Sequence, residues 1–175
     1  MSLLFGLVVS VSAQQTSTFI PLTQWEALQG DRFIVDTQEN VGYLVHENGD
    51  YTSFLVGSGR REWVYYIGRS YKATTPAWRW SVKSTSVKGD RRTFGKTGRF
   101  MRLYKNGDEH TSYGIHATSN IDEILAMENR YKSMGCILVD DAVLDILYKM
   151  YELNGESIDV VTTYGIDEKI LSQLN

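Results

Sequence analysis

With 175 residues, 42% of them hydrophobic and 22% charged, the chain has the make-up of one ordinary globular domain, long enough to bury a core and too short for two comfortable ones. A formal charge of -3 argues against a protein that works by neutralising phosphates, so nucleic acid is not expected as a partner. One cysteine cannot close an internal disulfide, and with only two prolines and no repeat the sequence marks no linker.

In chain order, LLFGLVVSVSA runs apolar from Leu3 to Ala13, places Val11 and Ala13 at a spacing a signal peptidase accepts, and gives way to polar QQTST. It is too short to span a bilayer, so no stable membrane span is expected. Residues 1–13 read as the remnant of a secretory signal, lacking a charged n-region, and predict export to the periplasm or cell wall. RFIVDTQENVGYLVHENGDYTSFLVGSG reads as strand, turn, strand, then the turn signal Asn48-Gly49-Asp50 and a further strand. EWVYYIGR and AWRWSVKSTSV continue the β pattern, with β-branched and aromatic residues suited to a half-buried pleated surface. The stretch Lys88 to Lys105 concentrates Lys and Arg against one Asp, as a solvated hairpin face or a basic lip for a ligand. RFMRLYK and SYGIHAT add two more strands.

Helical spacing comes late. IDEILAMENRY predicts a weak helix, and DDAVLDILYKMYELN a full one with Val143, Leu144, Leu147, Met150 and Tyr151 on one face. Asp140 or Asp141 suits its start, and Asn154-Gly155 its end. ESIDVVTTY returns to strand, and GIDEKILSQL closes the chain as a short helix within residues 164–175. The expected class is mainly β (α+β), a β-sandwich or barrel with one main helix packed after the cysteine loop.

The chemistry gathers in YGIHATSNIDEILAMENRYKSMGCILV. A lone cysteine is most often a small buried hydrophobe. A nucleophilic one needs a base or a positive field, because a thiol is largely protonated at neutral pH. His116, at the end of a predicted strand 20 residues before Cys136, is the available base. Gly135 permits a turn and a close approach of substrate backbone, amides near Gly135 and Cys136 suit a developing oxyanion, and Ser133 adds a hydroxyl beside the turn. His46 and His110, in turn-like VHENGD and GDEHTS, read as solvated surface histidines. Three scattered histidines and one cysteine lack metal-ligand spacing, so no metal is expected, and a reaction at a thiol with a histidine base needs no organic cofactor.

YGIHAT, followed after a loop by SMGCI, a helix and GESIDVVT, resembles the signature of the YkuD-type L,D-transpeptidase domain. The likeness runs over residues 32–163, including the opening strands and a Thr-Pro segment in TTPAWRWSV. It implies Cys136 as nucleophile, His116 as its base, Ala117 orienting the imidazole through its carbonyl, Ser133 and Gly135 supporting the cysteine loop and oxyanion, and Tyr113, Met134 and Leu138 lining the substrate. Met134 stands where the family has histidine or a basic residue, Leu138 where arginine or asparagine is common, and Ala77-Trp78 where a glycine-bearing turn is often found. The implied partner is a peptidoglycan stem peptide, joined through a thioester to a neighbouring stem or, with water as acceptor, trimmed by an L,D-carboxypeptidase reaction. A binding module with a decayed site and an unrelated β domain with a buried thiol are the competing readings.

Overall fold

The computed structural model describes residues 17–66 and 68–166. The secretory remnant expected over residues 1–13 lies outside them, as does the closing helix expected beyond Ile166. The fold is mainly β. Its main sheet joins eight strands in the spatial order β11-β9-β8-β7-β12-β1-β2-β3. In chain order these are β1 (Arg32–Asp36), β2 (Val41–Val45), β3 (Tyr51–Leu55), β7 (Arg79–Val87), β8 (Arg99–Lys105), β9 (Glu109–His116), β11 (Ile137–Leu138) and β12 (Ile158–Thr163). Two small sheets pair β4 (Ser58–Gly59) with β10 (Tyr131–Ser133) and β5 (Trp63–Tyr66) with β6 (Arg69–Lys72). The α-helices among the described residues are α1 (Arg91–Phe94), α2 (Ile121–Ala126) and α3 (Asp141–Leu153).

Consecutive antiparallel strands follow the local pattern: β1, β2 and β3 form a meander, and β7, β8 and β9 a second one. What joins the two is β12, last in the chain yet central in the sheet, parallel to β1 on one side and antiparallel to β7 on the other. Thr162 of β12 ties the seam further, because its hydroxyl oxygen accepts from the Trp80 indole at 2.8 Å and from the Trp78 amide at 3.0 Å.

The core lies between the sheet and α3. Val143, Leu144, Leu147 and Met150 of that helix are buried, together with Phe33, Val35, Leu44, Met101, Leu103, Ile115 and Ile137 from the strands. The helix begins as its sequence suggests, since the Asp140 carboxylate accepts from the Val143 amide at 2.7 Å. It ends at Asn154, and Gly155 follows with φ +65. Arg99, from the basic run, reaches across to Asp145 at 2.6 Å and Asp141 at 3.4 Å, so part of that run anchors β8 to the helix.

Two expectations change. α2 stops at Ala126, because Met127 is already extended; Arg130 donates to the Met127 carbonyl there and to the distant Glu39 carbonyl. His46 is not a surface histidine. It is 8% exposed, bonds Asp31 through Nδ1 at 2.6 Å and stacks on Trp25 with ring centroids 3.8 Å apart. The turn letters around it are real, but a buried carboxylate and a flat indole compete better for the ring than water does. His110 is exposed.

Candidate active site

β9 and β11 are adjacent and parallel, with Ile115 opposite Ile137 and His116 opposite Leu138. Cys136 therefore sits one residue before the ladder, at the level of Gly114. Side chains alternate along a strand, so Ile115 and Ile137 enter the core while His116, Gly114 and Cys136 belong to the other face. A chain that runs from His116 through α2 and β10 returns its only cysteine to the strand edge that carries the histidine.

Three side chains brace the turn that holds the thiol. The Ser133 hydroxyl donates to the Cys136 carbonyl at 2.6 Å and accepts from the Gly135 amide at 3.0 Å. Thr75 donates to the Gly135 carbonyl at 2.8 Å and accepts from the Gly59 amide at 3.0 Å. The Tyr71 hydroxyl donates to the Met134 carbonyl at 3.3 Å. Gly135 itself has φ +126, and a Cβ there would stand 2.5 Å from the Tyr113 ring, so both its conformation and its surroundings require glycine. Its amide is engaged by Ser133, which removes it from the oxyanion donors expected from sequence.

The His116 ring is 5% exposed and boxed by Phe94 and Phe100, with centroids 4.8 and 5.8 Å away. Nδ1 lies 2.7 Å from the Ala117 carbonyl oxygen. A carbonyl only accepts, so Nδ1 carries the proton in this contact. Burial pushes the imidazole pKa below its ordinary value, opposed by backbone hydrogen bonds to Ala117 and Thr93.

Cys136 is half-buried. Burial pushes its thiol up to about 11, against the lowering effects of a backbone hydrogen bond with Gly114 and of the Arg102 guanidinium. Arg102 lies across from Gly114 on β8, which puts arginine, glycine and cysteine in one row over three strands. Gly114 keeps that row open: a Cβ there would meet the Phe100 ring at 2.2 Å. Arg102 also donates to the Thr111 carbonyl and lies 5.1 Å from the centre of the Phe100 ring. Burial thus disfavours the charged form of both the thiol and the imidazole, and the Arg102 guanidinium opposes it at the sulfur.

The residues expected to touch substrate divide. Tyr113 is half-buried, edge-on to Trp80 and Trp78 at 5.5 and 6.3 Å, and burial, followed by the neighbouring Tyr71, raises its phenol pKa. Met134 is half-buried beside the thiol. Leu138 is a correction: at 4% exposed it packs with Ile121 and Ile124 of α2, a core position rather than a substrate contact. Thr75, Tyr71, Arg102 and Phe100 were not singled out from sequence. Thr75 had a signal in its Thr-Pro segment, whereas Arg102 becomes visible only through the strand register.

This arrangement coincides with a recognised domain. Residues 30–161 match the YkuD L,D-transpeptidase catalytic domain. The chain belongs to that family. Among solved structures, it is similar to the L,D-transpeptidase (residues 123–326) of Xylanimonas cellulosilytica, at 20% identity and TM-score 0.54 over 78% of this chain and 62% of that one. It is also similar to Bd1075 of Bdellovibrio bacteriovorus, at 12% identity and TM-score 0.55 over 83% and 53% of the two chains. A third is the helical cell shape determining protein Pgp2 of Campylobacter jejuni, at 14% identity and TM-score 0.52 over 81% and 52%. At these identities the likeness speaks to the fold, and this L,D-transpeptidase domain spans between about half and three fifths of the length of those chains. No curated protein matches the sequence. Among the described residues, no group of three His, Cys, Asp or Glu is placed to hold a metal, and no helix is long and apolar enough to cross a membrane.

Proposed function

We propose that the protein is an exported cysteine L,D-transpeptidase acting on peptidoglycan stem peptides. The observation that supports it most is the braced turn that sets Cys136 beside the strand end carrying an oriented His116. Substrate binding would bring the scissile carbonyl of the third stem residue to the sulfur. His116 Nε2 takes the thiol proton as the S–C bond forms, and Arg102 is the cation that offsets the negative charge. A neutral imidazole is the correct resting state for that transfer, since an imidazolium could accept nothing. Collapse of the tetrahedral intermediate breaks the C–N bond, and the imidazolium returns the proton to the departing D-amino acid. The thioester then acylates an amine of a neighbouring stem to give a cross-link, or water to give a carboxypeptidase product. The Cys136 amide is the oxyanion donor in this reading, in place of the engaged Gly135 amide.

The second reading, a module that binds stem peptides without turning them over, draws support from the thiol raised to about 11 and from Leu138 at the position where the family carries a polar side chain. Intact-protein mass spectrometry after exposure to a carbapenem separates the two. The expected result is one covalent adduct that maps to Cys136 and is absent from Cys136→Ala and His116→Ala. An unmodified protein that still binds muropeptides would establish the decayed module instead.

A further inference from the structure

The hairpin β5–β6 stands over the cysteine turn and exposes aromatic side chains that the site itself does not use. Its register pairs Trp63 with Lys72, Val64 with Tyr71, Tyr65 with Ser70 and Tyr66 with Arg69. Residues directly opposite in an antiparallel pair share a face, so Trp63, Tyr65, Ser70 and Lys72 form one face and Val64, Tyr66, Arg69 and Tyr71 the other. The second face turns inward at Tyr71, whose hydroxyl meets the Met134 carbonyl next to the thiol. On the first face Trp63 and Tyr65 are each 76% exposed, and Ser70 and Lys72 are exposed as well. The hairpin base is tied down by bonds from the Arg60 amide to the Ser133 carbonyl at 3.0 Å and from the Ala73 amide to the Glu62 carbonyl at 2.9 Å. The platform is therefore fixed relative to Cys136.

We propose that the Trp63–Tyr65 face is a stacking platform for the sugar rings of a glycan strand, holding the polymer whose peptide substituents enter the site. This rests on the stem-peptide reading above and names the second half of that substrate. Two rings at i and i+2 lie about 7 Å apart and present flat π faces without a pocket. A pyranose offers such a surface a patch of C–H groups on one ring face while its equatorial hydroxyls stay in water. Lys72, directly across from Trp63, offers N–H donors to the hydroxyl and carbonyl oxygens of a sugar. A protein partner fits poorly, because two aromatic side chains supply at most about 500 Å², short of the about 800 Å² per partner of a stable interface. Nucleobases also stack on aromatic faces, but a chain of net charge -3 lacks the basic groove that such binding needs.

The test is co-sedimentation of the full chain with beads that carry covalently coupled glycan strands from which an amidase has removed every stem peptide, so that binding is read without Cys136 chemistry. Wild type and Cys136→Ala should both pellet. Trp63→Ala/Tyr65→Ala should bind at least tenfold more weakly while its carbapenem adduct forms at the wild-type rate, which shows that the fold and the thiol site are intact. Equal pelleting of the double variant, or no pelleting of wild type, overturns the proposal without touching the assignment of the nucleophile. Self-association of wild type that the double variant abolishes would identify the occupant as a second copy and overturn it equally. A missing adduct in wild type, with glycan binding retained and dependent on Trp63 and Tyr65, would instead sink the enzymatic reading alone.

Discussion

Alkylation of Cys136 as a function of pH tests the electrostatics of the site most directly. An unperturbed thiol has a pKa of 9.0, and burial takes this one to about 11. The thiolate is the species that reacts, so at any pH below about 9 its population is about a hundredfold smaller than that of an exposed cysteine, each pKa step being tenfold. With iodoacetamide in excess, the rate measured by mass spectrometry should climb about tenfold per pH unit from neutrality to about pH 10 without levelling, and up to about pH 8 it should lie about a hundredfold below a cysteine peptide run in parallel. Arg102→Met removes the cation that lowers the thiol pKa, so it should slow alkylation further at every pH, and Arg102→Lys should restore most of the loss. His116→Ala should leave the slope of the profile unchanged, because burial disfavours the charged form of both groups. A plateau below about pH 8, or a profile with an inflection removed by His116→Ala, would show a preformed thiolate–imidazolium pair and refute this account of the site.

Gly135→Ala puts a methyl group into the Tyr113 ring at a φ of +126, and a stability loss of about 2 to 4 kcal/mol by urea titration is expected, with the carbapenem adduct lost even in the folded fraction. Ser133→Ala removes one donor and one acceptor from the cysteine turn and should cost about 1 to 3 kcal/mol while slowing acylation, since the Gly135 amide is left buried without its partner. His116 has a folded pKa below the 6.5 of the unfolded chain, so as pH falls through 6.5 the unfolded state takes up the proton first, and stability present above that value is lost towards the lower folded pKa. Urea midpoints of wild type and His116→Gln, compared at about pH 8 and pH 5, should converge at the lower pH. Leu147→Ala empties a fully buried position under the sheet and should cost about 2 to 5 kcal/mol.

The parts of the fold legible in the sequence are those set by neighbours along the chain. Apolar spacing in DDAVLDILYKMYELN marked the buried face of α3, and Asp140 and Gly155 marked its ends. Asn48-Gly49-Asp50 marked the turn between β2 and β3. His46 was misread because its local setting is a turn, while its partners Asp31 and Trp25 come from a segment 15 and 21 residues earlier. Leu138 was placed against substrate because it follows the cysteine motif, yet α2 folds over it.

For the site, the motifs are short and contiguous, so Ser133, Gly135 and Cys136 were within reach of a sequence reading, while the pairing of β9 with β11 is what brings them to the strand edge that carries His116. The supporting shell was not readable in the same way. Thr75 reaches Gly135 over 60 residues, and Arg102 comes into line with the thiol through the pairing of β8, β9 and β11.

The amino-acid sequence alone determined the mainly β class, the limits of the long helix and the pair of side chains around which a thiol reaction would be built, because strand alternation, helix period and capping act within a few residues. Folding in three dimensions decided the protonation of that pair and the cation and braces around it. Burial and strand register are sums over residues far apart in the chain, and they exist only once β12 has joined the two halves of the sheet.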